Sequence, residues 1–224
     1  AAPSARFDSC FVRGKGDLVA VRGGRRFELD VDASLVALDG DLVESAGSPR
    51  DPPSAAPSAV RLRRVTARTE HVLQLRIGRD EDRRPIGLPS AVQIACDGCL
   101  IAAGGGRPLV FLEGVESDEQ VRQLVSWTAP GDAPPTFYAN VGPALLDVEP
   151  AQPDRMPLPG PFDRARWLAF TQERGEPFVR VRFAAAGPAG AQPTDFRPRL
   201  IDDAPPGADQ CGAPVDRLPT ALVE

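Results

Sequence analysis

A short apolar run closed by glycine recurs through the first half of this chain and constrains its fold more than any other feature. The run Pro108-Leu109-Val110-Phe111-Leu112-Glu113-Gly114 has counterparts in Asp17-Leu18-Val19-Ala20-Val21-Arg22-Gly23, in Asp41-Leu42-Val43-Glu44-Ser45-Ala46-Gly47 and in His71-Val72-Leu73-Gln74-Leu75-Arg76-Ile77-Gly78. A second strand-like run precedes each. Phe27-Glu28-Leu29-Asp30-Val31 alternates with period two, which sets Phe27, Leu29 and Val31 on one face. In the third copy the same rule turns Val60 and Leu62 inward and Arg61 and Arg63 outward. The closing glycines at 23, 47, 78 and 114 lie 24, 31 and 36 residues apart. Setting aside the loops at 48–58 and 79–89, each of 11 residues, reduces the last two intervals to 20 and 25. A repeat of that length, built from short strands with insertions confined to one corner, is what stacked coils of a β-solenoid require. A single coil buries too little to be stable and depends on its neighbours.

Composition agrees. The 25 prolines and 21 glycines in 224 residues interrupt the chain too often for long helices. No stretch approaches the roughly 18 consecutive apolar residues of a membrane span. A net charge of −5 with scattered arginines offers no footprint for nucleic acid. Four cysteines, at 10, 96, 99 and 211, are too few for a disulfide-stapled mini-fold and leave one incidental bridge open. A chain beginning Ala1-Ala2-Pro3-Ser4 reads as a processed product or a region of a longer protein.

The paired runs, together with Phe137-Tyr138-Ala139-Asn140-Val141, Trp167-Leu168-Ala169-Phe170-Thr171 and Thr194-Asp195-Phe196-Arg197, resemble the right-handed parallel β-helix of the pectate-lyase-like fold. In particular they are similar to β-helical regions near the ends of large multidomain bacterial proteins, some of which also carry a protein kinase domain. The resemblance covers most of residues 5–148 and implies an all-β solenoid of about five coils over 1–148. Residues 149–224 are expected to form a small C-terminal cap and an extended tail packed on it, all as one structural domain. The tail departs from the usual Gly-Ser-Pro-Ala ending of that group. Asp163-Arg164-Ala165-Arg166-Trp167-Leu168-Ala169-Phe170-Thr171 is the best helix, with Ala165, Leu168 and Ala169 at helical spacing, and residues 178–183 alternate as a strand. Ser117-Asp118-Glu119-Gln120 fits a capping box, but a turn leading into a strand over 121–128 is preferred.

Candidate chemistry is sparse. Cys96 and Cys99 have redox or metal spacing, yet no second pair follows, and residues three apart on a strand face opposite ways. Aligning the copies instead stacks Cys10, Ser34, Val65 and Cys99 in one interior column. His71, the single histidine, would have to serve any Ser/His or Cys/His nucleophile and reads as a corner residue beside Glu70. Gly104-Gly105-Gly106 lacks the Lys-Ser/Thr and the strand-to-helix context of a phosphate cradle and reads as a tight corner. Kinase motifs are absent. Glu28, Asp30 and Asp32 make an outward acidic ladder opposite Arg61 and Arg63, readable as cross-coil ion pairs or as the acid/base groups of a lyase or hydrolase. Of the aromatics suited to sugars, Trp127, Phe137, Tyr138 and Trp167, the Trp127/Tyr138 neighbourhood with Asn140 is the candidate ligand patch; an aromatic cluster beneath a cap would look the same.

The function expected is therefore a non-catalytic interaction or scaffold domain of a larger bacterial protein that binds a glycan or protein partner. A carbohydrate-active polysaccharide lyase or glycoside hydrolase is the alternative. Neither a cofactor nor a metal is expected, nor nucleic acid, nor a membrane span. This region is expected to be monomeric, with the cell envelope or the extracellular space favoured over the cytoplasm.

Overall fold

The computed structural model describes residues 2–48, 50–79, 85–128, 134–150, 160–173, 175–185, 187–201 and 205–219. Parts of four expected segments lie outside the described residues: 49 of the loop at 48–58, 80–84 of the charged loop, 151–159 of the Pro-rich stretch, and 186, 202–204 and 220–224 towards the C-terminus. The chain winds as a three-sided parallel β-solenoid. The first turn contributes β1 (Ser4–Asp8), β2 (Phe11–Gly14) and β3 (Val19–Val21). The second contributes β4 (Glu28–Asp32), β5 (Leu35–Leu38) and β6 (Val43–Ala46), and the third β7 (Ser58–Arg63), β8 (Thr66–Thr69) and β9 (Leu73–Arg76). A small antiparallel pair, β10 (Gly78–Arg79) and β11 (Pro85–Gly87), precedes β12 (Val92–Asp97), β13 (Leu100–Ala103) and β14 (Val110–Glu113). Helix α1 (Asp118–Leu124) leads into β15 (Val125–Thr128), β16 (Phe137–Ala139) and β17 (Leu146–Glu149).

Three parallel sheets result, ordered β1-β4-β7-β12-β15, β2-β5-β8-β13-β16 and β3-β6-β9-β14-β17. The turns β4–β6, β7–β9 and β12–β14 have neighbours on both sides in every sheet. The expected count of about five coils is thus corrected to about three enclosed turns, because the rungs β1–β3 and β15–β17 end the first and third sheets and are flanked there on one side only. A single core runs down the axis through Leu29, Leu62, Leu73, Ile94 and Leu112, all at 0–1% exposure.

The corner between the first and second sheets explains how so tight a coil closes. Ser9, Ala33, Arg64 and Gly98 occupy it in successive turns, each in the left-handed region with φ of 52°, 45°, 50° and 59°. Their amides bond up the stack, Ala33 N–H donating to Arg63 O at 2.9 Å and Arg64 N–H to Asp97 O at 2.8 Å. Only Gly98 meets this conformation without the Cβ penalty of about 1–2 kcal/mol. Arg64→Gly is therefore expected to stabilise the chain by about 0.5–1 kcal/mol, since Asp32 keeps Arg63 at 2.8 Å. Gly98→Ala, whose Cβ would lie 3.2 Å from Pro134 Cβ, is expected to destabilise it by about 1–2 kcal/mol. Chemical denaturation of both variants checks the pair.

Immediately after this corner, Cys10, Ser34, Val65 and Cys99 do form one column. Leu35 N–H donates to Cys10 O, Thr66 N–H to Ser34 O and Leu100 N–H to Val65 O. The Ser34 hydroxyl accepts from Cys10 N–H at 3.0 Å, tying two members of the column together.

Three local expectations change. Residues 118–124 are helical, with Ser117 Oγ accepting from Gln120 N–H, and the strand begins only at Val125. The capping interaction wins over β-propensity because residues 115–124 span the gap between the third and first sheets, where no strand among the described residues pairs with them. Helix α2 (Arg164–Thr171) starts at the Asp163 cap, but it buries Trp167 and Thr171 while Ala165 and Ala169 face solvent. The strand over 178–183 divides into β18 (Phe178–Val179), which extends the second sheet beside β16, and β19 (Val181–Arg182), which pairs antiparallel with β20 (Arg199–Leu200).

The tail lies on the outer face of the second sheet. Near its C-terminal end, Val179, Val181, Ala208 and Cys211 pack on Leu100, Ala102, Phe137 and Ala139. Nearer the first turn, Ala191, Phe196 and Leu218 cover Leu35 and Ala37, and the Phe196 ring sits 6.1 Å from Phe11 and 6.0 Å from Phe183. The Asp195-Phe196-Arg197 segment thus anchors the tail on the side of the solenoid.

Candidate functional site

With the second sheet covered, the first sheet keeps an exposed outer face. Its alternation sends Leu29, Val31, Val60 and Leu62 inward and leaves Asp30, Asp32, Arg61 and Arg63 outside. The β4/β7 register sets Asp30 opposite Arg61 and Asp32 opposite Arg63. The ion pairs follow at 3.2 and 2.8 Å, and the corner residue Arg64 also reaches Asp32 at 3.0 Å. Arg6 and Asp8 carry the ladder onto β1, and Arg6, Asp30, Asp32, Arg61 and Arg63 line a recess of about 140 Å³. Exposed pairs of this kind contribute about 0–1 kcal/mol each. Acid/base hydrolysis needs one carboxyl held protonated beside a free carboxylate. Here both aspartates are engaged by guanidinium groups, an arrangement suited to recognising a surface of alternating charge.

A second acidic group, Glu44 on the third sheet, is clamped by Arg22 at 2.7 Å and Arg76 at 3.3 Å. The Arg22 hydrogen bond outweighs burial and holds the Glu44 carboxyl below its ordinary range.

Trp127 and Tyr138 are brought together, but under the cap, whereas Asn140 is turned to the tail. Trp127 and Tyr138 are 2% and 0% exposed, and Trp167 of α2 lies edge-on to both, with centroids 5.0 and 5.8 Å away. Neither ring face is open, so a sugar would have to displace α2 to stack on either. Phe137, the fourth aromatic, lies beneath the tail at 3% exposure. Asn140 is exposed, and its amide brackets one residue of the tail, Nδ2–H donating to Val181 O at 2.9 Å and Oδ1 accepting from Val181 N–H at 3.1 Å. Sequence reasoning missed Glu173. Tyr138 O–H donates to Glu173 Oε1 at 2.5 Å while accepting from Trp127 Nε1–H at 2.9 Å, and Glu173 Oε2 and Trp167 Nε1 are buried without a partner. A glutamate just past the end of a predicted helix gives no hint that the chain will fold it back beneath that helix.

Burial raises the Glu173 carboxyl to about 7, opposed by the Tyr138 hydrogen bond. A carboxyl raised on folding adds stability that is complete below its unfolded value, near 4.5, and is lost as pH rises through 7. Relative to Glu173→Gln, the wild-type chain should therefore lose on the order of 2 kcal/mol between pH 4.5 and 8. Urea midpoints of both proteins across that range give the difference directly.

No comparison with known proteins finds a relative. The chain matches no family model, no curated protein and no solved structure.

The remaining candidates are framework. Cys96 and Cys99 both point inside at 0% exposure, because the left-handed Gly98 turns the chain between them, and the opposite-face argument fails at that corner. Burial pushes the Cys99 thiol up to about 12 and the Cys96 thiol well above its ordinary value, far from the thiolate that redox or metal chemistry needs. Among the described residues, no group of three or more His, Cys, Asp or Glu could hold a metal ion. His71 is buried at the corner before the third sheet, its Nδ1 2.8 Å from Asp41 Oδ1 and its ring stacked 5.7 Å from Phe111. Gly104–Gly106 forms a single tight turn at the equivalent corner of its own coil. A Cβ at Gly142, in the next corner, would come within 2.1 Å of Gly106 O, which shows how closely these corners stack. Among the described residues, no helix is long and apolar enough to cross a membrane.

Proposed function

We propose that this chain is a non-catalytic interaction or scaffold domain of a larger bacterial protein, built as a pectate-lyase-like β-helix, which offers the outer face of its first sheet to a glycan or protein partner. The carrying observation is the state of that face. It is exposed and studded with register-matched Asp30/Arg61 and Asp32/Arg63 pairs. Faces with fixed charge spacing support specific, salt-sensitive association. The engagement of Asp30 and Asp32 by arginine weighs against proton transfer there and so favours binding over hydrolysis or elimination.

The test is a glycan array covering neutral and uronic-acid polymers, read beside the Arg61→Glu/Arg63→Glu double variant. Binding that weakens with salt and is lost in the variant supports the reading. Turnover of any polymer, with loss of activity on Asp30→Asn or Asp32→Asn, would replace it with a carbohydrate-active enzyme.

A further inference from the structure

The cap closes over a carboxyl with nothing to offset its charge. Glu173 follows α2 and is half-buried, with Oε2 buried and unpartnered. Its surroundings come from several elements. Tyr138 of β16 donates its hydroxyl to Oε1, and Trp127 of β15 donates Nε1–H to that hydroxyl. Cys96 of β12 lies near enough for a carboxylate at 173 to disfavour its thiolate. Burial pushes both the Cys96 thiol and the Tyr138 hydroxyl up, so each stays neutral. Thr171 of α2 accepts the Glu173 N–H at 3.4 Å, and the Trp167 ring packs edge-on against Trp127 and Tyr138. The arginines of α2 are engaged elsewhere: Arg164 lies 4.9 Å over the Phe178 ring, and Arg166 pairs with Asp118 and covers Phe162. Among the described residues, none forms an ion pair with Glu173. Such a site tolerates the neutral acid and disfavours the anion, because a buried charge without a counter-ion costs far more than a buried polar group.

The chain around this carboxyl is anchored on both sides of α2. Before the helix, Phe162 is tied to the third sheet by Leu145 N–H to Phe162 O at 2.7 Å and by Phe162 N–H to Leu146 O at 2.8 Å. After it, β18 is tied to the second sheet by Tyr138 N–H to Pro177 O at 2.7 Å and by Asn140 N–H to Val179 O at 3.1 Å. Between these anchors, Trp167 and Glu173 hold the segment to the last rung through side chains. Gln172 and Gly175, with φ of 59° and 85°, form the turn just past the helix. A few residues at the end of an element are where hinged movements are absorbed.

We propose that α2 and Glu173 form a pH-operated lid on this end of the solenoid, closed while the Glu173 carboxyl keeps its proton and lifted off Trp127 and Tyr138 when that proton passes to solvent.

The opening equilibrium should grow as pH rises from the ordinary carboxyl value of 4.5 to about 7 and then level off. The total gain is on the order of 100-fold. A detached helix of eight residues is unstable in water, so opening exposes its amides to exchange. Hydrogen exchange of residues 164–171 is therefore measured from pH 4.5 to 8 in the wild-type chain and in Glu173→Gln, the ratio at each pH cancelling the intrinsic pH dependence. That ratio should rise about 100-fold for α2, while the ratio for β7 and β8 amides stays constant. Tyr138→Phe withdraws the hydrogen bond that favours the anion and should carry the rise to a higher pH before it levels. Far-UV circular dichroism establishes that both variants are folded. A ratio for α2 that stays within about twofold across the range overturns the lid. So does a rise shared equally by β7 and β8, which would make the titration a property of the whole fold.

Discussion

Trp167→Ala is expected to cost about 3–5 kcal/mol, the range for removing a large buried aromatic, and to open the C-terminal end of the solenoid. Trp167 is fully buried and joins α2 to the last rung through edge-on contacts with Trp127 and Tyr138. No other side chain of α2 reaches the same floor to the same depth, since Thr171 is small and Phe170 is only half-buried. Its loss should expose Trp127, visible as a red shift in fluorescence, and should admit protease between α2 and β18 before the coils unfold. Trp167→Phe should cost much less, on the order of 1 kcal/mol, because it keeps the ring while deleting the buried Nε1–H that has no partner. A drop for Trp167→Ala below about 1 kcal/mol would mean that the cap is not seated on this residue.

Asp41→Ala should be comparably severe, at about 3–5 kcal/mol. The Asp41 carboxylate is buried at the second-to-third-sheet corner, where Oδ1 accepts from both His71 N–H at 3.0 Å and the His71 ring Nδ1–H at 2.8 Å. One turn below, Asp17 Oδ1 accepts from Asp41 N–H at 2.8 Å, so the corner is a short ladder in which each side chain holds the amide above it. Alanine leaves two donors buried and unpaired. Asp41→Asn keeps an acceptor for the amide and should cost only about 1–2 kcal/mol. Equal losses for the two variants, measured by urea denaturation, would place the stabilisation in packing and not in these hydrogen bonds.

The repeat itself was legible because a coil two or more strands long leaves the same chemical signature each time it returns to a corner. Cys10, Ser34, Val65 and Cys99 could be aligned on pattern alone, and so could the opposition of Asp30 to Arg61, because register in a parallel stack follows from equal spacing. Which outer face would be covered was also written in the strands. Leu35-Val36-Ala37-Leu38 and Leu100-Ile101-Ala102-Ala103 are apolar at every position, the mark of a strand buried on both sides, whereas Glu28–Asp32 alternates. The fate of Glu173 was not legible. Its burial depends on where the chain returns after α2, and local pattern carries no information about that return. The same holds for the inward turn of Cys96 and Cys99, which a strand rule cannot anticipate once a left-handed residue sits between them.

The path of the tail changes how the molecule should come apart. A stack of coils in contact only with their neighbours melts from its ends, one unit at a time. Here the chain leaves the capped end, descends to Leu35 through Phe196, climbs back to Leu100 and Phe137 through Cys211, and descends again to Leu35 through Leu218. On the way Gly212 N–H bonds Gly98 O at 2.8 Å and Ala213 N–H bonds Thr66 Oγ1 at 2.9 Å. Turns that never touch one another are lashed to a common cord, so none can fray without loosening contacts at the far end. Unfolding should be a single sharp transition, and severing the cord between Arg197 and Ala208 should make it gradual.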